Sequence, residues 1–188
     1  MLLARAALVE LALGRPQRAL ERARHIETVT PRLGATGEAL VPQALRAVAH
    51  RLRGDPIDDR ALLQALEPLE LDAAARFAEL VCALAEGELP RGRVEPSRSL
   101  LARACAAAAR VARPSLVVMG RALLARAELA CGHEDAARVA VDEARRALTP
   151  SVPMARAIRL IDDVARTLEL PTAPVRCDPE VARSDEAR

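Results

Sequence analysis

Apolar residues recur every three or four positions along most of the chain, and Pro and Gly fall between these periodic segments. This spacing places the apolar side chains on one face of a helix, so it predicts an all-α fold. From residue 171 onward the periodicity stops, and segment 171–188 is predicted to be a disordered tail after one helical domain over residues 1–170. About nine helices are predicted, at residues 2–13, 16–29, 38–53, 59–66, 73–85, 98–112, 115–131, 134–148 and 152–168.

Helix boundaries follow from individual residues. Gly14 is predicted to end the first helix, because glycine adopts the left-handed conformation that closes a helix at little cost. Pro68 is predicted to end the fourth helix, and segment 86–96, which contains two prolines and two glycines, is predicted to be a loop. Four residues are predicted to cap the helices that follow them: Asp58, Asp72, Ser97 and Ser151.

Two segments of the chain, 4–26 and 122–144, match each other at a constant offset. The matched residues are Ala7 with Ala125, Glu10 with Glu128, Gly14 with Gly132, and Ala19 with Ala137. The small residue within the first helix, the Gly at the turn and the small residue in the second helix resemble the tetratricopeptide repeat, whose unit has about 34 residues. No regular repeat is visible between residues 32 and 114, and the large aromatic residues of that family are missing.

The resemblance implies a right-handed superhelix of antiparallel helix pairs. Repeats rich in Arg, Ala and Leu resemble the helical-repeat regions of large bacterial signal-transduction proteins such as the LuxR-type regulators. In those proteins the repeats follow a nucleotide-binding module, and no GxxxxGK[ST] motif occurs here. A generic α-helical bundle is the structural alternative, because Gly between helices and Ala at helix contacts would give a similar pattern.

The resemblance also suggests a binding surface, since the first helices of such repeats line a concave groove. If Glu10 and Glu128 face this groove together with Arg5, Arg121 and Arg126, they would bind charged groups of a peptide. The alternative interpretation is that both acids pair with neighbouring arginines of the chain itself and have no role in binding.

The charge pattern argues against direct binding of nucleic acid. All 28 basic residues are Arg, they are balanced by 26 acidic residues, and Phe77 is the only aromatic residue on which a base could stack. No uncharged apolar run approaches the roughly 18 residues that a membrane span needs, so a cytoplasmic protein without membrane contact is expected. Three cysteines in the helical segments are predicted to be buried free thiols: Cys82, Cys105 and Cys131.

The sequence contains no HExxH, GxSxG, GxGxxG or CxxC motif, so no catalytic residue, metal site or cofactor is predicted. Cys131 and His133 would supply only two of the three or four ligands that zinc requires. The carboxylate pairs Asp58-Asp59 and Asp162-Asp163 are interpreted as helix caps and solvent-exposed groups.

These observations predict a non-enzymatic helical-repeat scaffold that binds a protein or peptide in signalling or regulation. The alternative is a small-molecule-sensing domain of a transcriptional or kinase regulator, with its ligand between helices. The first helix carries many apolar residues and only two charges, Arg5 and Glu10. We therefore expect its outer face to be covered by a second copy, in a homodimer through the N-terminal helices, by another protein or by further repeats.

Overall fold

The computed structural model describes residues 2–29, 40–148 and 155–170, and every regular element in these ranges is helical. The all-α class and the predicted number of helices are therefore confirmed. The described residues form nine α-helices and one short 3-10 turn, Leu89–Arg91: α1 (Leu2–Ala12), α2 (Pro16–Val29), α3 (Val41–Arg53), α4 (Asp59–Asp72), α5 (Ala74–Glu88), α6 (Val94–Arg110), α7 (Pro114–Ala130), α8 (Glu134–Ala147) and α9 (Ala155–Thr167). The predicted tail, 171–188, and the predicted cap Ser151 lie outside the described residues.

The prediction that Pro68 ends the fourth helix, α4, is wrong. The helix continues through Pro68 to Asp72, because Leu66 and Leu69 on either side of the proline are both fully buried. This burial offsets the backbone hydrogen bond that the proline cannot donate. Asp72 is consequently the last residue of α4 and not the cap of α5.

Segment 86–96 is also more ordered than a loop. The helix α5 extends to Glu88, the 3-10 turn follows, and α6 already begins at Val94. Ser97 lies inside α6, where its hydroxyl donates to the backbone carbonyl of Arg93 at 3.0 Å, so its predicted capping role is wrong. The prediction for Asp58 is confirmed, since its Oδ1 accepts a hydrogen bond from the backbone N–H of Ala61 at 2.6 Å.

The helices pack in two rows. Each helix contacts its neighbours in the chain, and the odd-numbered helices also contact one another in series, from α1 to α3, α5, α7 and α9. The helix α5 lies at the centre, because it contacts α1, α3, α4, α6 and α7. The odd-numbered helices therefore form the inner row of the described residues, and the even-numbered helices lie outside it.

Four of the five odd-numbered helices are followed by a glycine in the same backbone motif, which Glu169 adopts after α9 and Ala112 after α6. At each of these ends a glycine has a left-handed φ of 68° to 92°, and two backbone hydrogen bonds close the Schellman motif. These turn glycines are Gly14, Gly54, Gly92 and Gly132. They lie about 40 residues apart, somewhat longer than the 34 residues of a tetratricopeptide unit.

Small residues occupy equivalent positions before these turn glycines. The seventh residue before each of them is a buried alanine: Ala7, Ala47, Ala85 and Ala125. Because alanine has no bulk beyond Cβ, neighbouring helices can approach closely at these positions. The pattern expected only in the first and last helix pairs therefore extends through the middle of the chain. We name the four pairs unit 1 (α1–α2), unit 2 (α3–α4), unit 3 (α5–α6) and unit 4 (α7–α8).

Candidate functional site

The five residues predicted to bind a partner differ in exposure and in their contacts. Glu10 and Glu128 lie at equivalent positions near the ends of α1 and α7, four residues before the turn glycines. Arg5 and Arg126 are exposed. Arg121 forms an ion pair with Glu143 of α8 at 2.8 Å, so its guanidinium is already engaged within unit 4.

Glu128 contacts a histidine and an arginine of the chain itself. Its residue is 8% exposed, its Oε2 lies 2.9 Å from Nδ1 of His133, and its Oε1 lies 3.5 Å from the guanidinium of Arg98 on α6. Arg98 also contacts Glu95, at 2.7 Å. These contacts favour the second of the two alternatives that the sequence left open for Glu128, pairing within the chain.

The position of Glu128 belongs to a recurring arrangement at the four turns. We call the residue four before each turn glycine the pre-turn residue, and the residue directly after the glycine the post-turn residue. In every unit the side chains of these two residues approach each other. The pairs are Glu10 with Arg15 (3.8 Å), His50 with Asp55 (2.6 Å), Glu88 with Arg93 (3.3 Å), and Glu128 with His133 (2.9 Å).

In units 3 and 4 an arginine from the preceding unit completes this arrangement. Arg51 of unit 2 donates through Nε to Oε2 of Glu88 at 3.0 Å, and Arg98 of unit 3 approaches Glu128. Glu88 is only 2% exposed, so its carboxylate depends on these contacts for the hydrogen bonds that water would otherwise supply. The two buried pre-turn glutamates therefore join successive units.

Glu10 differs from both of these glutamates. Its side chain is 13% exposed, and its Oε2 is buried without any hydrogen-bond donor. The nearest cation, Arg15, lies at 3.8 Å, beyond hydrogen-bond distance. A buried carboxylate oxygen without a donor is unfavourable, so Glu10 is an unsatisfied group in unit 1.

A surface cavity opens beside Glu10 between α1 and α2. It has a volume of about 360 Å³ and is lined by Leu3, Glu10, Arg18, Glu21, Arg22 and His25. Neither Arg18 nor Arg22 forms an ion pair with a described residue. The cavity thus combines an unsatisfied buried acceptor with two unpaired cations at its edge, and sequence reasoning missed this α2 face because its residues look like ordinary solvated positions.

The outer face of α1 next to this cavity is uncovered, and it carries the exposed Arg5 one turn before two apolar residues. Val9 and Leu13, one helical turn apart, are 56% and 57% exposed. The residues equivalent to Val9, five before the turn glycine, are covered in the other units: Ala49 and Ala127 are fully buried, and Gly87 lies against Leu52 of the preceding unit. Unit 1 therefore exposes a side chain at a position that units 2 to 4 cover, whereas the positions equivalent to Leu13 are exposed in units 2 and 3 as well.

A second cavity of about 540 Å³ lies among α2, α3 and α4. Three of its four polar lining residues are paired within the chain, since Arg46 donates to Glu27 at 3.0 Å and Nδ1 of His50 lies 2.6 Å from Asp55. Ile57 supplies part of its apolar lining.

Two of the predicted buried thiols are buried, and the third is not. Cys82 and Cys105 lie in the core beside Gly120, and burial raises the pKa of Cys105 to about 11 and that of Cys82 further. Cys131 is only half-buried, because it lies at the end of α7 where its Sγ donates to Glu95 at 3.7 Å, so the prediction of burial is wrong for it.

Three of the four acids in the carboxylate pairs have partners within the chain. Asp58 caps α4, Asp59 lies 2.9 Å from Arg51, and Asp163 lies 3.3 Å from Arg166. In the part of the chain that the structure describes, no three His, Cys, Asp or Glu side chains are grouped so as to hold a metal ion. None of the described helices is both long and apolar enough to cross a membrane.

Comparisons with protein-family models, with curated proteins and with solved structures found no match to this chain.

Proposed function

We propose that this chain is a non-enzymatic helical-repeat scaffold of the tetratricopeptide kind, whose units stack into a superhelix and whose unit 1 binds a protein partner in signalling or regulation. Stacked helix pairs present extended surfaces for such contacts. The observation that supports the proposal most strongly is the uncovered face of α1. Val9 is exposed there, whereas Ala49 and Ala127 at the equivalent positions are fully buried.

The energetics of this face also favour a partner. Each large apolar side chain left in water forgoes roughly 1.5–3 kcal/mol relative to full burial. Val9 and Leu13 lie one turn apart and form a continuous apolar strip, beside the unsatisfied Glu10. Such a combination of apolar surface and polar groups is typical of an interaction surface.

Site-specific photocrosslinking tests this proposal. A benzophenone amino acid is placed at Val9 and, as the matched control, at Val139 of α8, which has the same exposure of 56%. In an extract of the source cells, a crosslinked protein product is expected from position 9 and not from position 139. The yield should fall in the Leu13→Ser variant and stay unchanged in Leu71→Ser, whose side chain is also exposed. Equal products from both positions would contradict the proposal.

The cavity among α2, α3 and α4 favours a second candidate function, the sensing of a small molecule. Its volume of about 540 Å³ falls in the range of ligand sites. A metabolite that binds there would raise the melting temperature of the chain, and this effect would be lost in an Ala61→Trp variant that fills the cavity. The paired state of Glu27 and Arg46 leaves few free polar groups for such a ligand, so the protein-binding function has the stronger support.

A further inference from the structure

The pre-turn glutamates of units 3 and 4 each contact an arginine of the preceding unit. In unit 3 the pre-turn residue is Glu88, and Arg51 reaches it from unit 2. In unit 4 it is Glu128, and Arg98 reaches it from unit 3. At both junctions the acid belongs to the later unit and the guanidinium to the earlier one.

Unit 2 has neither a pre-turn glutamate nor an arginine from unit 1 at the equivalent positions. Unit 1 has Leu11 and Leu20 at the positions equivalent to Arg51 and Arg98, and both leucines are buried. No arginine arrives from unit 1 at these positions, and the pre-turn residue of unit 2 is His50, which pairs with its own Asp55 at 2.6 Å. Units 3 and 4, which have a pre-turn glutamate, thus receive an arginine from the preceding unit. Unit 2, which has a pre-turn histidine, does not receive one at the equivalent positions.

Glu10 is a pre-turn glutamate whose arginine is not among the described residues. Its Oε2 is buried without a donor, and Arg15 at 3.8 Å does not supply one. We propose that Glu10 is the recognition site for an arginine on a helix of a partner protein, which packs on the uncovered face of α1 as α3 packs on α5. This inference rests on the proposed function, because it gives the chemistry by which unit 1 selects its partner.

The surroundings of Glu10 define the rest of the partner helix. At the α3–α5 contact, Leu52 next to Arg51 occupies the space over Gly87, and a Cβ at Gly87 would lie 2.3 Å from Cδ2 of Leu52. Unit 1 has Val9 at that position, so the residue next to the partner's arginine must be small. Arg18 and Arg22 at the edge of the cavity are exposed, so acidic residues elsewhere on the partner would add to the affinity, but the contact with Glu10 does not depend on them.

A peptide built on α3 tests the inference, because α3 already makes this contact with α5. The probe has the sequence Val41–Arg53 with Leu52→Ala, held helical by a lactam bridge on its far side. The matched control peptide carries citrulline in place of Arg51, which keeps the shape and removes the charge. Binding is followed by the NMR chemical shifts of the full chain.

We expect saturable binding of the arginine peptide, with the shifts concentrated in α1 and α2. The citrulline peptide should bind the unmodified chain at least tenfold more weakly than the arginine peptide does. The Glu10→Gln variant should bind the arginine peptide at least tenfold more weakly than the unmodified chain does. The Glu134→Gln variant, which removes an exposed acid from α8, should bind the arginine peptide within twofold of the unmodified chain. Equal affinity for the two peptides, full binding to Glu10→Gln, or no binding of either peptide would overturn the inference.

A failure of this inference can be told apart from a failure of the proposed function. Crosslinking from position 9 without any dependence on arginine or Glu10 would keep the α1 face as an interaction surface and overturn only the role of Glu10. Equal crosslinking from positions 9 and 139 would overturn both. Self-association of the chain that disappears in Glu10→Gln would identify a second copy as the occupant and overturn the assignment to a separate partner.

Discussion

Arg51 of α3 donates through its Nε to Oε2 of Glu88 at the end of α5, and this 3.0 Å contact joins two successive units. The same guanidinium donates to the backbone carbonyl of Ile57 at 2.8 Å and lies 2.9 Å from Asp59. Both charged side chains of the pair are largely buried, with 12% and 3% of their surface exposed. The pair therefore belongs to the core and not to the solvated surface.

Removal of one member of this pair should be strongly destabilising. Arg51→Met is expected to lower the free energy of unfolding by about 3 kcal/mol, because it leaves the carboxylate of Glu88 buried with weaker partners. The double variant with Glu88→Gln should lose less than the sum of the two single variants. Urea unfolding followed by circular dichroism measures these losses.

The control for this prediction is an exposed ion pair of the same chemistry. Arg166→Met breaks the contact with Asp163 on the surface of α9, and its expected effect is below about 0.5 kcal/mol. Equal losses for Arg51→Met and Arg166→Met would show that the buried pair does not hold units 2 and 3 together.

The turn after α6 predicts a stabilising substitution. Ala112 has a φ of 49° at the position where four of the odd-numbered helices have glycine, and its Cβ makes this conformation unfavourable. Ala112→Gly should raise the free energy of unfolding by about 1 kcal/mol. Ala106→Gly, inside α6 on its exposed side, should lower it by about the same amount, because glycine weakens a helix interior.

Thermal unfolding checks this pair of substitutions. For a chain of this size, the expected shifts of the melting temperature are about 2–4 °C in opposite directions. A decrease for both variants would mean that the left-handed conformation at Ala112 is not a source of strain.

The three described cysteines should react with a thiol reagent in two classes. In a Cys177→Ser background, Cys131 is expected to be modified first by Ellman's reagent at neutral pH, since its side chain is partly exposed. Cys82 and Cys105 should react only on unfolding, because burial excludes the reagent and raises the pKa of both thiols. Rapid modification of Cys105 in the native protein would contradict its place in the core.

The fold class could be predicted from the sequence because helical periodicity and turn glycines are local signals. Gly14 and Gly132 were recognisable by their matching neighbours, but the two middle units were not. In unit 2 the pre-turn residue is His50 instead of glutamate, and in unit 3 the turn glycine follows Leu89–Arg91, whose proline suggests a loop. Their glycine spacing and the alanine seven residues earlier are present in the sequence, but the backbone angles and hydrogen bonds are needed to identify these glycines as equivalent.

The candidate site was less accessible to sequence reasoning. The sequence placed Glu10 and Glu128 at equivalent positions, and the structure confirms that equivalence at the level of the turn. It could not show that Arg98, thirty residues before Glu128, lies 3.5 Å from that acid, while Arg15 lies 3.8 Å from Glu10 and donates no hydrogen bond to it. The difference between the two acids depends on contacts between units, which no local pattern records.

The central claim is that Glu10 is an unsatisfied member of a set of otherwise satisfied pre-turn residues. The most direct test compares the free energies of unfolding of Glu10→Gln and Glu128→Gln in the isolated chain by urea denaturation. Glu128→Gln should lose about 2 kcal/mol, because it weakens the contacts with Arg98 and His133. Glu10→Gln should stay within about 0.5 kcal/mol of the unmodified chain or be more stable, since Oε2 of Glu10 accepts no hydrogen bond. A loss for Glu10→Gln as large as that for Glu128→Gln would contradict the claim.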